Sequence, residues 1–195
     1  MKRSRIKWFL IVATIVSLAF IVGCAKPPAK EIESAGKAIA DAKLKEADLY
    51  SQDLFAKAEG ALKKAMDLVA AKNYKDAKTA ADEALSLAQQ SVQAVEANKT
   101  KMKADSEQLV LDVQSSINEL KTLAAQAVRK KAPINQQEIQ NAIGKWEIEL
   151  VSIKEHLHAG KIRLAFDQLT AIQEQARSQK ETLQGALEVK AVEKK

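Results

Sequence analysis

Few side chains in this sequence have the type and spacing to do chemistry. The only cysteine, Cys24, stands directly after Ile21, Val22 and Gly23 at the end of an apolar run. With one thiol no intramolecular disulfide can form, so a use for that sulfur other than oxidation is the natural reading. His156 and His158 are the only imidazoles. Two apart on a helix, they point roughly 200° from one another and cannot share a metal through regular helical geometry. Both suit the last turn of a helix, where the macrodipole favours them; a metal site with Glu155 lacks a third ligand at a recognised spacing. The serines have no glycine-rich elbow around them, and phosphate-loop and calcium-loop spacings are absent. Carboxylates are plentiful but alternate with Lys and Arg, as on solvated helix faces. The residues therefore point to no catalytic, cofactor-binding or metal-binding set.

The elements around Cys24 say what its chemistry would be. Lys2, Arg3, Arg5 and Lys7 form a positive segment, and an apolar stretch of 15 residues from Trp8 to Val22, broken only by Thr14 and Ser17, follows. Charged, then apolar, then a small-residue cleavage site is the export pattern. Ile21-Val22-Gly23-Cys24 resembles the lipobox of bacterial lipoproteins, the motif of signal peptidase II. The resemblance implies a diacylglyceryl group on the Cys24 sulfur, cleavage after Gly23 and acylation of the new amino group. Two or three chains anchor firmly where one is marginal, at about 0.8 kcal/mol per buried methylene. The alternative is an uncleaved span, which wants about 20 apolar residues. Ala25 follows the cysteine; in enteric-type bacteria an aspartate there retains lipoproteins in the inner membrane, so its absence points to outer-membrane sorting. Lys26-Pro27-Pro28-Ala29-Lys30 reads as a short stiff tether, because consecutive prolines oppose helix.

Net charge of +6 invites a nucleic-acid reading, but its location argues against one. Four of the 31 basic residues precede the apolar run with no acid among them, which leaves 27 basic against 25 acidic residues beyond it. Nucleic-acid binding wants a concentrated basic face, and here the signs alternate. Aromatic content of 4%, six glycines and three prolines fit long amphipathic helices of Ala, Leu, Lys, Glu and Gln, not a sheet.

From the tether onward the apolar period is helical. Ile32, Ala35, Ile39 and Ala42 make one stripe. The stretch Asp48 to Asp53 is expected to break it, with Ser51 a candidate cap for the next helix. Phe55, Ala58, Leu62, Ala65 and Val69 make a second stripe, ended by Ala71-Lys72-Asn73. Tyr74, Ala77, Ala81, Ala84, Ala88, Val92 and Val95 make a third. So short a loop predicts an antiparallel hairpin. Between Gly60 and Pro133 there is neither Gly nor Pro. The third helix either runs to Lys131, about 85 Å at 1.5 Å per residue, or is interrupted at Asn98-Lys99-Thr100-Lys101. Leu109, Val113, Ile117, Leu120, Ala124 and Ala127 keep the spacing. Pro133 forces a break, and Asn135 can cap the next helix, which carries Trp146, Leu150, Ile153 and Leu157 to a turn at His158-Ala159-Gly160-Lys161. The last stripe is Ile162, Ala165, Leu169, Ile172, Ala176 and Leu183. The two hairpins correspond at an offset of 88 residues, Ala58 to Val69 with Trp146 to Leu157 and Tyr74 to Ala88 with Ile162 to Ala176, which suggests a duplicated helical hairpin.

Asn73-Tyr74-Lys75-Asp76-Ala77, with Ala81 and Ala84 beyond, resembles the second helix of a tetratricopeptide-type hairpin. The order of lipobox, proline tether, Ala38-Ile39, Tyr50, then Ala58, Leu62, Ala65, Asn73-Tyr74 and Ala77 resembles the bacterial lipoproteins grouped as domain of unknown function 4398, over roughly residues 24 to 100. The chain departs from that pattern in lacking a proline shortly after Tyr50. The resemblance implies an envelope lipoprotein with a helical domain and no assigned reaction.

The expectation is an all-α chain of elongated antiparallel helical hairpins, with a signal peptide at 1–23, a lipidated cysteine and tether at 24–31, an Ala-rich region at 32–131, a second hairpin at 132–189 and a charged tail at 190–195. Its function is expected to be non-enzymatic: a scaffold, spacer or interaction module held to a membrane by lipid and facing the periplasm, with an envelope protein or a second copy as partner. The alternative is a small-ligand or metal-binding receptor whose site is lined by Trp146 and Phe166. On its stripe Trp146 reads first as core packing.

Overall fold

The computed structural model describes residues 26–192, with the side chains of 190–192 left aside. The expected signal peptide and lipidation site therefore lie outside the described residues. What is described is all-α: α1 (Ala29–Leu44), α2 (Ala47–Tyr50), α3 (Gln52–Ala70), α4 (Tyr74–Lys130), α5 (Gln136–His158) and α6 (Ile162–Val192). They pack as two units, one of 26–45 with 52–92 and the other of 46–51 with 93–192. This division cuts across the expected one at 131/132, because α4 runs unbroken for 57 residues and contributes to both.

In the first unit α1 starts at Ala29, inside the stretch expected to be tether. Pro28 is its N-cap, and the Pro28 carbonyl accepts from the Ile32 amide at 3.1 Å. Proline lacks only an N–H that a helix start does not use, so it ends the tether without delaying the helix. The core is mostly alanine: Ala35 of α1, Ala61 and Ala65 of α3, and Ala80, Ala81 and Ala84 of α4, flanked by half-buried Ile32, Leu62, Leu68, Leu85 and Leu87, with Ile39 and Phe55 its buried larger side chains. Leu62 and Val69, expected on the buried stripe, lie at its edge, and Ala61 takes the centre. Small side chains let helix axes approach closely, and the large ones sit where there is room.

The second unit is built around larger side chains. Val113, Ile117 and Leu120 of α4, Ile143, Trp146, Leu150 and Ile153 of α5, and Leu169, Ile172 and Leu183 of α6 form one continuous core. Fully burying each such side chain contributes about 1.5–3 kcal/mol. Asn135 caps α5 as expected, its Oδ1 accepting from the Glu138 amide at 3.2 Å.

The two hairpin turns repeat one another bond for bond at the offset of 88. After α3 the Asn73 amide donates to Leu68 O and the Lys72 amide to Val69 O, both at 2.9 Å. After α5 the Lys161 amide donates to His156 O at 2.9 Å and the Gly160 amide to Leu157 O at 3.1 Å. The left-handed residue of this Schellman-type turn is Lys72, φ 59°, in one hairpin and Gly160, φ 74°, in the other. The Asn73 side chain then accepts from the Asp76 amide at 3.4 Å and opens α4.

The expected break within Asp48–Asp53 is present at Ser51, between α2 and α3, and a second, unexpected one precedes it. The chain leaves α1 at Lys45, Glu46 takes a left-handed φ of 62°, and 47–50 is a helical turn. Asn98-Lys99-Thr100-Lys101 does not interrupt α4, and two of its four side chains, Asn98 and Lys99, have tertiary partners. Within the second unit Asn98 Nδ2 donates to Tyr50 O at 2.8 Å and to Ser51 Oγ at 3.3 Å. The Ser51 hydroxyl, expected to cap the next helix, thus faces Asn98.

Candidate functional site

The residues with expected chemistry separate into those outside the described region and those the fold absorbs. Ile21, Val22, Gly23 and Cys24 lie outside it. Trp146 is 4% exposed in the second core, and its Nε1–H donates to Gln175 Oε1 at 3.1 Å. That bond meets the one polar need of a buried indole. Phe166 is half-buried, and none of the described cavities is lined by either aromatic. His156 Nδ1 lies 3.0 Å from Gln168 Oε1, while His158 is exposed in the last turn of α5. Among the described residues no three His, Cys, Asp or Glu side chains are grouped to hold a metal ion.

Electrostatics follows surface ion pairs. Hydrogen bonding from Lys78 holds the Glu31 carboxyl below the usual glutamate value, and the bond from Lys37 does the same to Glu33. Lys78 is raised by its bonds to Glu31 first and Asp82 second. In the second unit Lys99 is raised chiefly by its hydrogen bond to Glu46, 2.6 Å away. Its ammonium also lies 5.0 Å from the centre of the Tyr50 ring, within cation–π range. With Asn98 and with Arg163 Nη1, which donates to Leu49 O at 3.3 Å, Lys99 anchors segment 46–51. These are structural pairings on exposed or half-exposed groups, without the opposed, desolvated shifts of an acid–base pair.

Exposed large apolar side chains are spread over several helices, Leu44 and Leu111 among them, and two share one stripe of α5. Gly144, Ile148 and Val151 step by 4 and 3, one stripe of a helix, and Ile148 is 75% and Val151 60% exposed. Beside it, between α4 and α5 of the same unit, is an open trough. Large apolar side chains turned to solvent along one stripe are the usual mark of a contact surface. Periodicity assigns Trp146, Leu150 and Ile153 to the core, but the signal for this outer stripe was available only in the apolar residues left over on α5.

No protein-family model matches the chain, and no curated protein or solved structure matches it either. Among the described residues no helix is long and apolar enough to cross a membrane.

Proposed function

We propose that this chain is a lipid-anchored envelope protein whose helical units serve as a non-enzymatic scaffold or interaction module. The observation that carries the reading is Ile21-Val22-Gly23-Cys24 placed directly at the end of a 15-residue apolar run. Lipid on Cys24 would hold the helices at a membrane surface facing the periplasm, with the outer membrane favoured by Ala25. Contact as the task of the helices is supported by the exposed Ile148–Val151 stripe and by Trp146 serving as core, not as a lining residue. The reading rests on the lipobox resemblance of Ile21 to Cys24 and not on the resemblance of the wider helical layout.

Metabolic labelling with a radioactive or clickable fatty acid tests the anchor. The wild-type chain takes up label and runs at the mature size, whereas Cys24→Ser takes up none and leaves an uncleaved or mislocalised precursor. A Cys24→Ser chain that is processed and fractionates normally sinks the proposal.

A further inference from the structure

The trough between α4 and α5 has a volume of about 490 Å³ and a floor of Ala124, Ala125, Val128, Ile143 and Gly144. Gly144 keeps the floor low, and a Cβ built there would meet no atom within 4 Å. Glycine inside a helix is less stable than alanine, and no close neighbour in this chain requires it here. Ile148 and Val151, one and two turns beyond Gly144 on α5, are exposed outside the trough's lining, and Val128 of the lining is 42% exposed.

The charged residues of the lining are Lys121, Arg129 and Glu147. Lys121 is neutralised by Glu147 at 2.6 Å. Arg129, on the rim, has only its own helix for a partner, Nε donating to Ala125 O at 3.3 Å. Lys130 and Lys131 follow it, and among the described residues none of the three makes an ion pair.

We propose that this trough docks one amphipathic helix of a protein partner, seated by a small or aliphatic face and carrying an acidic side chain that meets Arg129. The proposal rests on reading the chain as an interaction module and names the class of its partner. From Gln136 to Val151, α5 offers about 22 Å at 1.5 Å per residue, enough to follow three to four turns of a helix. Helix-in-groove recognition uses anchors at i, i+3, i+4 and i+7, and the glycine-floored trough admits such a backbone closely. An unpaired guanidinium beside an apolar floor selects a carboxylate, which it bonds in bidentate fashion. A neutral or basic helix would cover Arg129 and leave it unpaired, which disfavours that partner.

The test is photocrosslinking of the full chain in the cells that make it, with a benzophenone side chain placed at Ile148 or, for comparison, at exposed Leu164 on α6. From Ile148 the expected adduct is a protein segment with a helical apolar period and at least one Asp or Glu. Arg129→Glu should cut its yield at least tenfold, and Lys in place of the partner's acid should restore it. Gly144→Leu, which fills the trough where no atom stands, should abolish the adduct while the helical circular dichroism spectrum is kept. An adduct with lipid, with a second copy of this chain or with a segment lacking an acid overturns the proposal, as does a yield indifferent to Arg129→Glu. Protein adducts from Leu164 alone overturn this surface but leave the interaction-module reading standing. No protein adduct from either position overturns both.

Discussion

The two helical hairpins share a turn and differ in what they bury. The α3 and α4 hairpin closes on Ala58, Ala61, Ala65, Ala77, Ala81 and Ala84, and the α5 and α6 hairpin closes on Trp146, Leu150, Ile153, Leu169 and Ile172. The hydrogen bonds at Leu68–Asn73 and His156–Lys161 superimpose residue for residue at the offset of 88. Turn chemistry and apolar period thus set the hairpin, while side-chain volume sets how much each one gains from burial. An alanine seam removes little apolar area per residue, so its unit depends on close helix approach. The Ile, Leu and Trp core depends on filling space. The first should be more sensitive to added atoms, the second to removed ones.

The largest effect expected is in the second core. Trp146→Ala or Leu169→Ala should lower its stability by about 2–5 kcal/mol, from lost burial plus the cavity left behind, measured by denaturant unfolding of the full chain. If both substitutions proved nearly neutral, the contrast between a volume-filled and a seam-packed unit would be lost. Next comes Ala84→Leu in the first unit, where overpacking should cost about 1–3 kcal/mol. The same measurement checks it, and a gain in stability would show that the alanine seam has unused room.

The turns sharpen the comparison at the backbone. Lys72 and Gly160 hold the same left-handed position, but only glycine adopts it without a steric penalty from Cβ. Lys72→Gly should raise stability by up to roughly 1 kcal/mol, and Gly160→Ala should lower it by about 1–2 kcal/mol. Opposite signs from two equivalent positions would establish the turns as one device used twice. Equal signs would break that equivalence.

The smallest effect concerns pH. Lys99 is raised above the ordinary lysine value of 10.5 by its bond to Glu46. A raised lysine stabilises the folded state fully below its unfolded value, and that contribution is lost as pH rises through the folded one. Melting temperature should therefore fall more steeply above about pH 10.5 in the wild type than in Lys99→Met. Parallel curves for the two would mean that Lys99 does not hold segment 46–51.

Much of the fold is written in local pattern. The stripe of α6 buries as its spacing predicts, Ile162, Ala165, Leu169, Ile172, Ala176 and Leu183 without exception, while those of α4 and α5 do so except at half-buried Tyr74, Val92, Leu109 and Leu157. The Asn135 cap, the turn at Gly160 and the offset of 88 are also visible in one dimension, because caps, left-handed glycines and helical period act within a few residues. Where the expectations failed, the deciding partner was far along the chain. Nothing about Glu46 announces a left-handed residue, and whether Asn98-Lys99-Thr100-Lys101 interrupts the helix stays open until Tyr50 and Ser51 stand opposite Asn98. Of the surface proposed to bind, Gly144, Ile148 and Val151 could be picked out as an exposed stripe. The trough could not, since it needs α4 alongside.

By itself, then, the sequence determined that this chain is helical, most of the residues that face inward and where the hairpins turn. These follow from a 3.6-residue period and from backbone chemistry confined to single turns. The tertiary structure alone decided that α4 stays whole, that the break after α1 falls at Lys45 and Glu46, and that Arg129 lies at the rim of an apolar trough. Each of those outcomes depends on hydrogen bonds or packing between residues dozens of positions apart, or on a space bounded by two helices.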